Sequence, residues 1–166
     1  MKSTAKNILS KRDNFSNTIA KYWNIIMIEN VVLRNYKRNY DLKELFNEII
    51  ELSQKRSMAK FKALCINMGF VKMTNVPKDN IQLDIFNLAE LKEIKVKLGK
   101  IRTINPKLKA SKGKKALNKT EILTSNWIKE RIKEIDLKIT EIEKKISEFN
   151  ESHELDETES TLELAA

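Results

Sequence analysis

Apolar residues recur every three or four positions along most of the chain, which predicts a mainly α-helical fold. A first amphipathic helix is predicted over residues 15–33 and a second over 41–52, with Asp41 placed to cap its first turn. After a polar break at 53–57, a third helix is expected to run to Gly69, a residue type that commonly ends helices. A further helix is predicted over 87–99, although its alternating residues 94–98 also allow a strand.

The pattern changes to a two-residue period between residues 70 and 86. Val71 and Met73 alternate before the polar segment NVPKDN, and Ile81, Leu83 and Ile85 alternate after it. Two such runs joined by turn-forming residues predict a β-hairpin at 70–86.

The last third of the chain carries a regular stripe with spacings of four and three residues, which predicts a coiled-coil helix within 118–150. Arg131 and Lys138 would flank the stripe on one side, Asp136 and Glu143 on the other, an arrangement that favours a parallel homodimer. The alternative is that the stripe packs on the front of the same chain. The predicted interface consists of Ile128, Ile132, Ile135, Ile139, Ile142, Ile146 and Phe149.

Composition supports one helical domain with an extension, because 166 residues include only three Gly and two Pro. We expect a helical domain over 1–99 that includes the hairpin, and an acidic tail over 151–166 on the far side of the coiled coil. Between them, residues 100–117 have no sustained apolar face and are expected to form a flexible basic linker.

Charge is unevenly distributed around a formal net charge of +9. Residues 92–119 hold eleven Lys and Arg against one acidic residue, whereas residues 120–166 hold six against thirteen. Such a basic block indicates a polyanionic partner, and nucleic acid is the leading candidate. The alternative is that the block is a solvated linker that binds nothing. Its candidate phosphate contacts are Lys107, Lys109, Lys112, Lys114, Lys115 and Lys119.

A second basic segment, RNYKRNY at 34–40, interleaves Arg34, Lys37 and Arg38 with Tyr36 and Tyr40. These residue types suit phosphate contact and base stacking. The alternative is a basic loop whose tyrosines pack on the domain.

Signals for catalysis are weak, so we expect no enzymatic activity and no cofactor or metal. The lone His153 lies in the acidic tail, the lone Cys65 lies on an apolar helix face, and no phosphate-binding loop is present. A single cysteine, no secretory signal and no apolar run long enough to span a bilayer together indicate a cytoplasmic protein with no membrane partner.

The order helix, turn, helix and hairpin in DLKELFNEIIELSQKRS, SMAKFKALCINMGF and VKMTNVPKDNIQLDIF resembles the winged helix-turn-helix superfamily. The resemblance implies that the second helix of the turn motif enters the major groove and that the hairpin lies along the DNA backbone. It would place Ser57, Lys60 and Lys62 on the recognition face, Lys72 and Lys78 on the wing, and Lys55 and Arg56 against phosphate at the turn.

Together these features predict a non-enzymatic, nucleic-acid-binding protein, with a dimeric DNA-binding regulator as the first choice. Two alternatives remain open. One is a coiled-coil adaptor that binds an acidic protein partner, and the other is an RNA-binding helical subunit of a ribonucleoprotein.

Overall fold

The computed structural model describes residues 4–105, 107 and 118–153, and these are mainly helical with one small antiparallel sheet. A single 3₁₀ turn, Met73–Asn75, lies between the second and third helices. In chain order the elements are α1 (Ala5–Glu29), β1 (Val31–Leu33), α2 (Leu42–Asn67), α3 (Gln82–Gly99), β2 (Lys119–Glu121) and α4 (Ser125–Ser152).

Side chains at three helix N-termini supply acceptors to backbone amides that the first turn leaves unpaired. Thr4 caps α1, Thr124 caps α4, and Asp41 caps α2 by accepting from the amides of Lys43 and Glu44 at 2.9 and 3.1 Å. The predicted cap at Asp41 is therefore confirmed.

A glycine ends α2, as predicted from the sequence. Gly69 has φ of +85°, and the amides of Gly69 and Phe70 donate to the carbonyls of Ile66 and Cys65, each at 3.0 Å. This paired hydrogen bonding is the Schellman ending, for which glycine is favoured because it adopts positive φ without steric conflict.

Consecutive helices run antiparallel and pack in chain order. Ile8 of α1 contacts Ala59 and Ala63 of α2, while Trp23 and Phe46 meet edge to face further along the same pair, with ring centroids 6.1 Å apart. One apolar core joins all four helices and the segment before α4. Its most deeply buried side chains include Ile26, Leu42, Ile49, Leu98 and Leu123.

The small sheet connects the end of α1 to the start of α4, which sequence analysis missed. β1 pairs antiparallel with β2, so that Val31 lies opposite Glu121 and Leu33 opposite Lys119. The prediction that the last helix includes residues 118–121 is therefore wrong, because these residues precede Thr124 and lie in or beside β2.

The predicted polar break at 53–57 is wrong, because α2 runs without interruption through these residues. Ser53 and Ser57 are both buried in the packed face of α2. Arg56 is also held inward by Glu90 of α3. Polar residues in this stretch marked a helix–helix contact rather than a turn.

The predicted hairpin at 70–86 is also wrong. The first half of the segment contains the 3₁₀ turn, and from Gln82 onward the chain is already in α3. Alternation over only five residues was too short to outweigh the helix-favouring run that follows it. The helix predicted from Asn87 thus starts five residues earlier, and the strand alternative at 94–98 is wrong. The segments that carried the winged-helix resemblance thus form the continuous helix α2, the 3₁₀ turn and α3, and the resemblance itself stays a prediction.

The stripe on α4 packs within the chain, and a coiled coil is not confirmed. Ile128, Ile135 and Ile139 are buried in the common core, with Ile132 packed against it; Ile142, Ile146 and Phe149 further along α4 are half-buried.

Ion pairs to α3 use the charges that flank the stripe. Lys95 reaches Asp136 at 2.6 Å, Lys92 reaches Glu143 at 2.7 Å, and Asp84 reaches Lys145 at 2.6 Å. Of the flanking charges that favoured a parallel homodimer, Asp136 and Glu143 are thus paired with α3 of the same chain, whereas Arg131 pairs with Glu134 within α4 at 2.6 Å.

Candidate nucleic-acid interface

A buried asparagine fixes both ends of the basic segment to the end of α1. The Asn30 side chain is fully buried, and its Nδ2 donates to the carbonyls of Arg102 at 2.8 Å and Leu123 at 3.0 Å. Its Oδ1 accepts from the amides of Leu123 at 2.7 Å and Ile122 at 3.3 Å. Because every hydrogen-bonding position of the amide is used, this side chain holds the backbone before and after the basic segment together.

Two further contacts strengthen the same region. The Ile104 amide donates to Glu121 Oε2 at 2.6 Å, and both Ile101 and Ile104 are buried. The expected flexibility of 100–117 is therefore wrong for its described beginning, which packs against the body. The structure describes only residues 100–105 and 107 of this segment.

Arg38 is a structural residue and not a free phosphate ligand. Its guanidinium donates to the carbonyls of Glu29, Asn30 and Thr120, each at 2.9 Å, and to Thr120 Oγ1 at 3.1 Å. These bonds connect the end of α1, the 34–40 loop and β2. They hold the two basic segments side by side, although the segments are distant in sequence.

An exposed basic surface results, which we call the sheet-end face. It comprises Arg34, Lys37, Arg102, Lys107 and Lys119, all of them exposed. The Arg34 amide donates to the carbonyl of Asn118 at 2.9 Å, which brings the 34–40 loop against the end of the basic segment. Within the described residues, none of these five cations lies within 4.0 Å of a carboxylate in an ion pair. Their charges are therefore available to an anionic partner.

Two tyrosines border this face. Tyr36 and Tyr40 are each 45% exposed, so part of each ring is accessible for stacking. The Tyr36 hydroxyl donates to Glu29 Oε1 at 3.3 Å, and the negative charge of Glu29 raises the pKa of Tyr36. The hydrogen bond fixes the edge of the Tyr36 ring, while its exposed portion faces solvent.

Two of the three residues expected on the exposed face of the recognition helix are engaged within the protein. Ser57 is fully buried, and Lys60 Nζ lies 2.9 Å from Glu90 Oε1. Arg56 forms several hydrogen bonds to Glu90 and one to Glu93 at 2.8 Å. Partial burial lowers the pKa of Arg56, but the hydrogen bonds and charges of these two glutamates outweigh it and raise that pKa. The prediction that Ser57 is exposed is wrong, and the guanidinium of Arg56 is engaged by Glu90 and Glu93.

The remaining predicted contacts divide into two groups. Lys55, Lys62, Lys72 and Lys78 are exposed, and Lys55 Nζ lies 3.8 Å from Glu51. The first three border a groove at the opposite end of α2 from the sheet-end face. Of the lysine run, Lys107 and Lys119 belong to the sheet-end face. The other predicted contacts lie outside the described residues, and these are Lys109, Lys112, Lys114 and Lys115.

Candidate chemistry elsewhere is limited. Residues 4–105, 107 and 118–153 contain no group of three His, Cys, Asp or Glu side chains that is suited to a metal ion. In the same ranges no helix has the length and apolar character needed to cross a membrane. Burial raises the pKa of the Cys65 thiol, which disfavours the nucleophilic thiolate.

Comparisons with known proteins identify neither a family nor a similar structure for this chain. No protein-family model matches the chain, and neither the curated proteins nor the solved structures include a significant match. The sheet-end face must therefore be interpreted from its own residues.

Proposed function

We propose that the protein binds nucleic acid through phosphate contacts at the sheet-end face. The observation that carries the proposal is the convergence, on one small sheet, of the 34–40 loop with the described parts of the second basic segment, residues 100–105, 107 and 118–119. Arg38 and Asn30 hold these segments together, so that their exposed cations share one surface. Oxygens of a phosphodiester backbone are the natural partners of several unpaired Lys and Arg side chains on one face.

The composition of the face favours contact with the backbone over base reading. Three of its five cations are lysines, which act as point charges on phosphate, and Tyr36 and Tyr40 provide sequence-tolerant stacking surfaces. The lysines at 109, 112, 114 and 115 lie in sequence between two described parts of this face, residues 107 and 118. We therefore propose binding with low sequence preference.

Salt dependence gives the sharpest test. About five phosphate contacts on duplex DNA predict that log affinity falls with log salt concentration at a slope near −4.5. Fluorescence anisotropy with a labelled 20-base-pair duplex between about 25 and 200 mM KCl measures that slope. The Arg34→Ala/Lys37→Ala variant should bind more weakly and lower the slope by about 2, because each phosphate contact contributes about 1.

A matched control separates the proposed face from net charge. Lys133→Ala/Lys144→Ala removes the same charge from exposed positions on α4 and should leave the slope within about 0.5 of the native value. Equal slopes for both double variants would reject the sheet-end face as the binding surface.

Repeating the titration with RNA decides between the two nucleic-acid classes. Tighter binding of duplex DNA supports a DNA-binding regulator. The proposed location is the cytosol, with which the free, buried Cys65 is consistent. Tighter binding of RNA supports a subunit of a ribonucleoprotein. Dimerisation is not part of the proposal, because Asp136 and Glu143 pair with α3 and much of the stripe on α4 packs into the core of the same chain.

A further inference from the structure

A large apolar groove lies at the end of the molecule remote from the sheet-end face. It has a volume of about 860 Å³ and lies between the first half of α1 and the second half of α2, where residues 69–73 close it. Ile8, Phe15, Met58, Ile66 and Phe70 provide much of its apolar lining. The Schellman ending of α2 places Phe70 and Val71 there directly after Gly69, and Val71 is 87% exposed.

Four lysines surround this apolar lining, and none of the described residues that line the groove is acidic. Lys11 comes from α1, Lys55 and Lys62 from α2, and Lys72 from the segment that follows it. We call this feature the lysine-rimmed groove. Its chemistry suits an occupant that combines leucine-like side chains with several carboxylates, because the former would enter the apolar centre and the latter would meet the rim.

The last described residue of the chain lies close to this end. His153 follows α4 directly, and its Nε2 is 3.0 Å from Asp79 Oδ2. Asp79 belongs to the same connection between α2 and α3 that begins at the groove with residues 69–73. Residues 154–166 are therefore attached to the body beside the groove and not beside the sheet-end face.

The sequence of that attached segment has the required chemistry. Residues 154–166 include no Lys or Arg, carry acidic residues at five positions and contain Leu155, Leu162 and Leu164. Thirteen extended residues reach about 43 Å. The sheet-end face lies about 42 Å from this attachment, the length of the 28-residue α4, so a fully extended segment would only just reach it.

We propose that residues 154–166 dock in the lysine-rimmed groove of the same chain. Leucines of the segment cover the apolar lining, and its carboxylates pair with Lys11, Lys55, Lys62 and Lys72. Attachment at His153 makes docking intramolecular, with an effective concentration in about the millimolar range, so modest contacts suffice. The proposal is independent of nucleic-acid binding, since the groove and the sheet-end face lie at opposite ends.

Paramagnetic broadening in the full-length chain tests the docking. A nitroxide is attached at Ser160→Cys in a Cys65→Ala background, so that only one thiol reacts. Amide signals of residues 69–73 should lose at least half their intensity relative to the reduced label. Signals of Arg34 and Tyr36, at the other end, should be unchanged. Broadening confined to Arg34 and Tyr36, or no broadening of either set, would overturn the proposal.

Charge reversal and mixing experiments complete the test. Lys62→Glu/Lys72→Glu should restore most of the lost intensity, whereas Lys133→Glu on α4 should not. Retained broadening in the double variant would mean that the lysines do not hold the segment. In the mixing experiment, one set of chains carries the nitroxide but no ¹⁵N, and the other carries ¹⁵N but no nitroxide. The ¹⁵N signals of this mixture should show no broadening. Broadening in that mixture would show docking between two copies and overturn the intramolecular proposal.

Discussion

The two ends of the helical body are closed in different ways. At one end, Asn30 and Arg38 join α1, both strands and the basic segment through buried or partly buried hydrogen bonds. At the other end, the connection after Gly69 leaves apolar side chains in solvent, with Val71 at 87% and Met73 at 46% exposure. The first end is held by hydrogen bonds that use every position of the Asn30 amide, whereas the second is an apolar surface without a described cover.

That difference indicates how each end is suited to a partner. A saturated hydrogen-bond network fixes the backbone, so exposed cations on it present a constant pattern of charge to a polyanion. An apolar groove with a charged rim is not held by such a network. A segment that covers its apolar lining removes that surface from water and so stabilises the protein. The most informative perturbations are therefore substitutions that weaken one end while leaving the other unchanged.

The largest effect is expected at the sheet end, from Asn30→Ala. Removal of the amide leaves two buried carbonyls and two backbone amides without their partner, each worth about 1–3 kcal/mol when unpaired. We expect the free energy of unfolding to fall by about 4 kcal/mol. Urea denaturation followed by tryptophan fluorescence measures it, because Trp23 and Trp127 both contact the core.

Asn35→Ala is the matched control for that substitution. Asn35 lies in the exposed 34–40 loop, so its replacement should change the unfolding free energy by less than about 0.5 kcal/mol. If Asn30→Ala loses no more than Asn35→Ala, the sheet end is not held by this network and the contrast between the ends disappears.

An intermediate effect is expected between the ends, from Ile135→Ala on α4. Ile135 is buried against the common core, so truncation should cost about 3 kcal/mol. Ile146→Ala, at a half-buried position nearer the groove end, should cost about 1 kcal/mol. Thermal unfolding monitored by circular dichroism compares the two variants.

Protein concentration distinguishes internal packing from a coiled coil in the same experiment. Internal packing predicts a melting temperature that is constant over a hundredfold dilution, as for any monomeric unfolding reaction. A melting temperature that rises with concentration, together with a doubled mass by light scattering, would restore the predicted homodimer and remove α4 from the intramolecular comparison.

Local patterns identified helix caps and the stripe on α4, because capping and periodicity are properties of neighbouring residues, but they divided α2 in two and started α3 too late. Asp41 and Gly69 were identified correctly for that reason, and α4 was recognised from its stripe. The surface that covers the stripe was not predictable. Isoleucines at spacings of four and three residues pack equally well against a second copy of the chain or against neighbouring helices of the same chain. Only the fold shows that Lys92 and Lys95 pair with α4.

The candidate site was only half visible in the sequence. The composition identified both basic segments. Their proximity in the fold, however, depends on the pairing of β1 with β2, and strands of three residues are too short to show a periodic pattern in the sequence. Asn30 gave one usable signal, a polar residue at an apolar position of a helical stripe, which often marks a buried hydrogen-bond network. The charge of Arg56 and Lys60 misled the prediction because Glu90 is distant in sequence.

The smallest effect distinguishes the ends by sign, through two glycines that end helices. Gly69 at the groove end has φ of +85°, and an added Cβ would meet nothing within 4 Å, so Gly69→Ala costs only backbone strain of about 1 kcal/mol. Gly99 ends α3 at the sheet end without positive φ and with equal space, so Gly99→Ala should stabilise by up to about 1 kcal/mol. Urea denaturation of both variants measures the pair. Destabilisation by both would show that the space at one glycine is smaller than the structure has it, whereas stabilisation by both would mean that the Schellman ending does not fix the residues that close the groove.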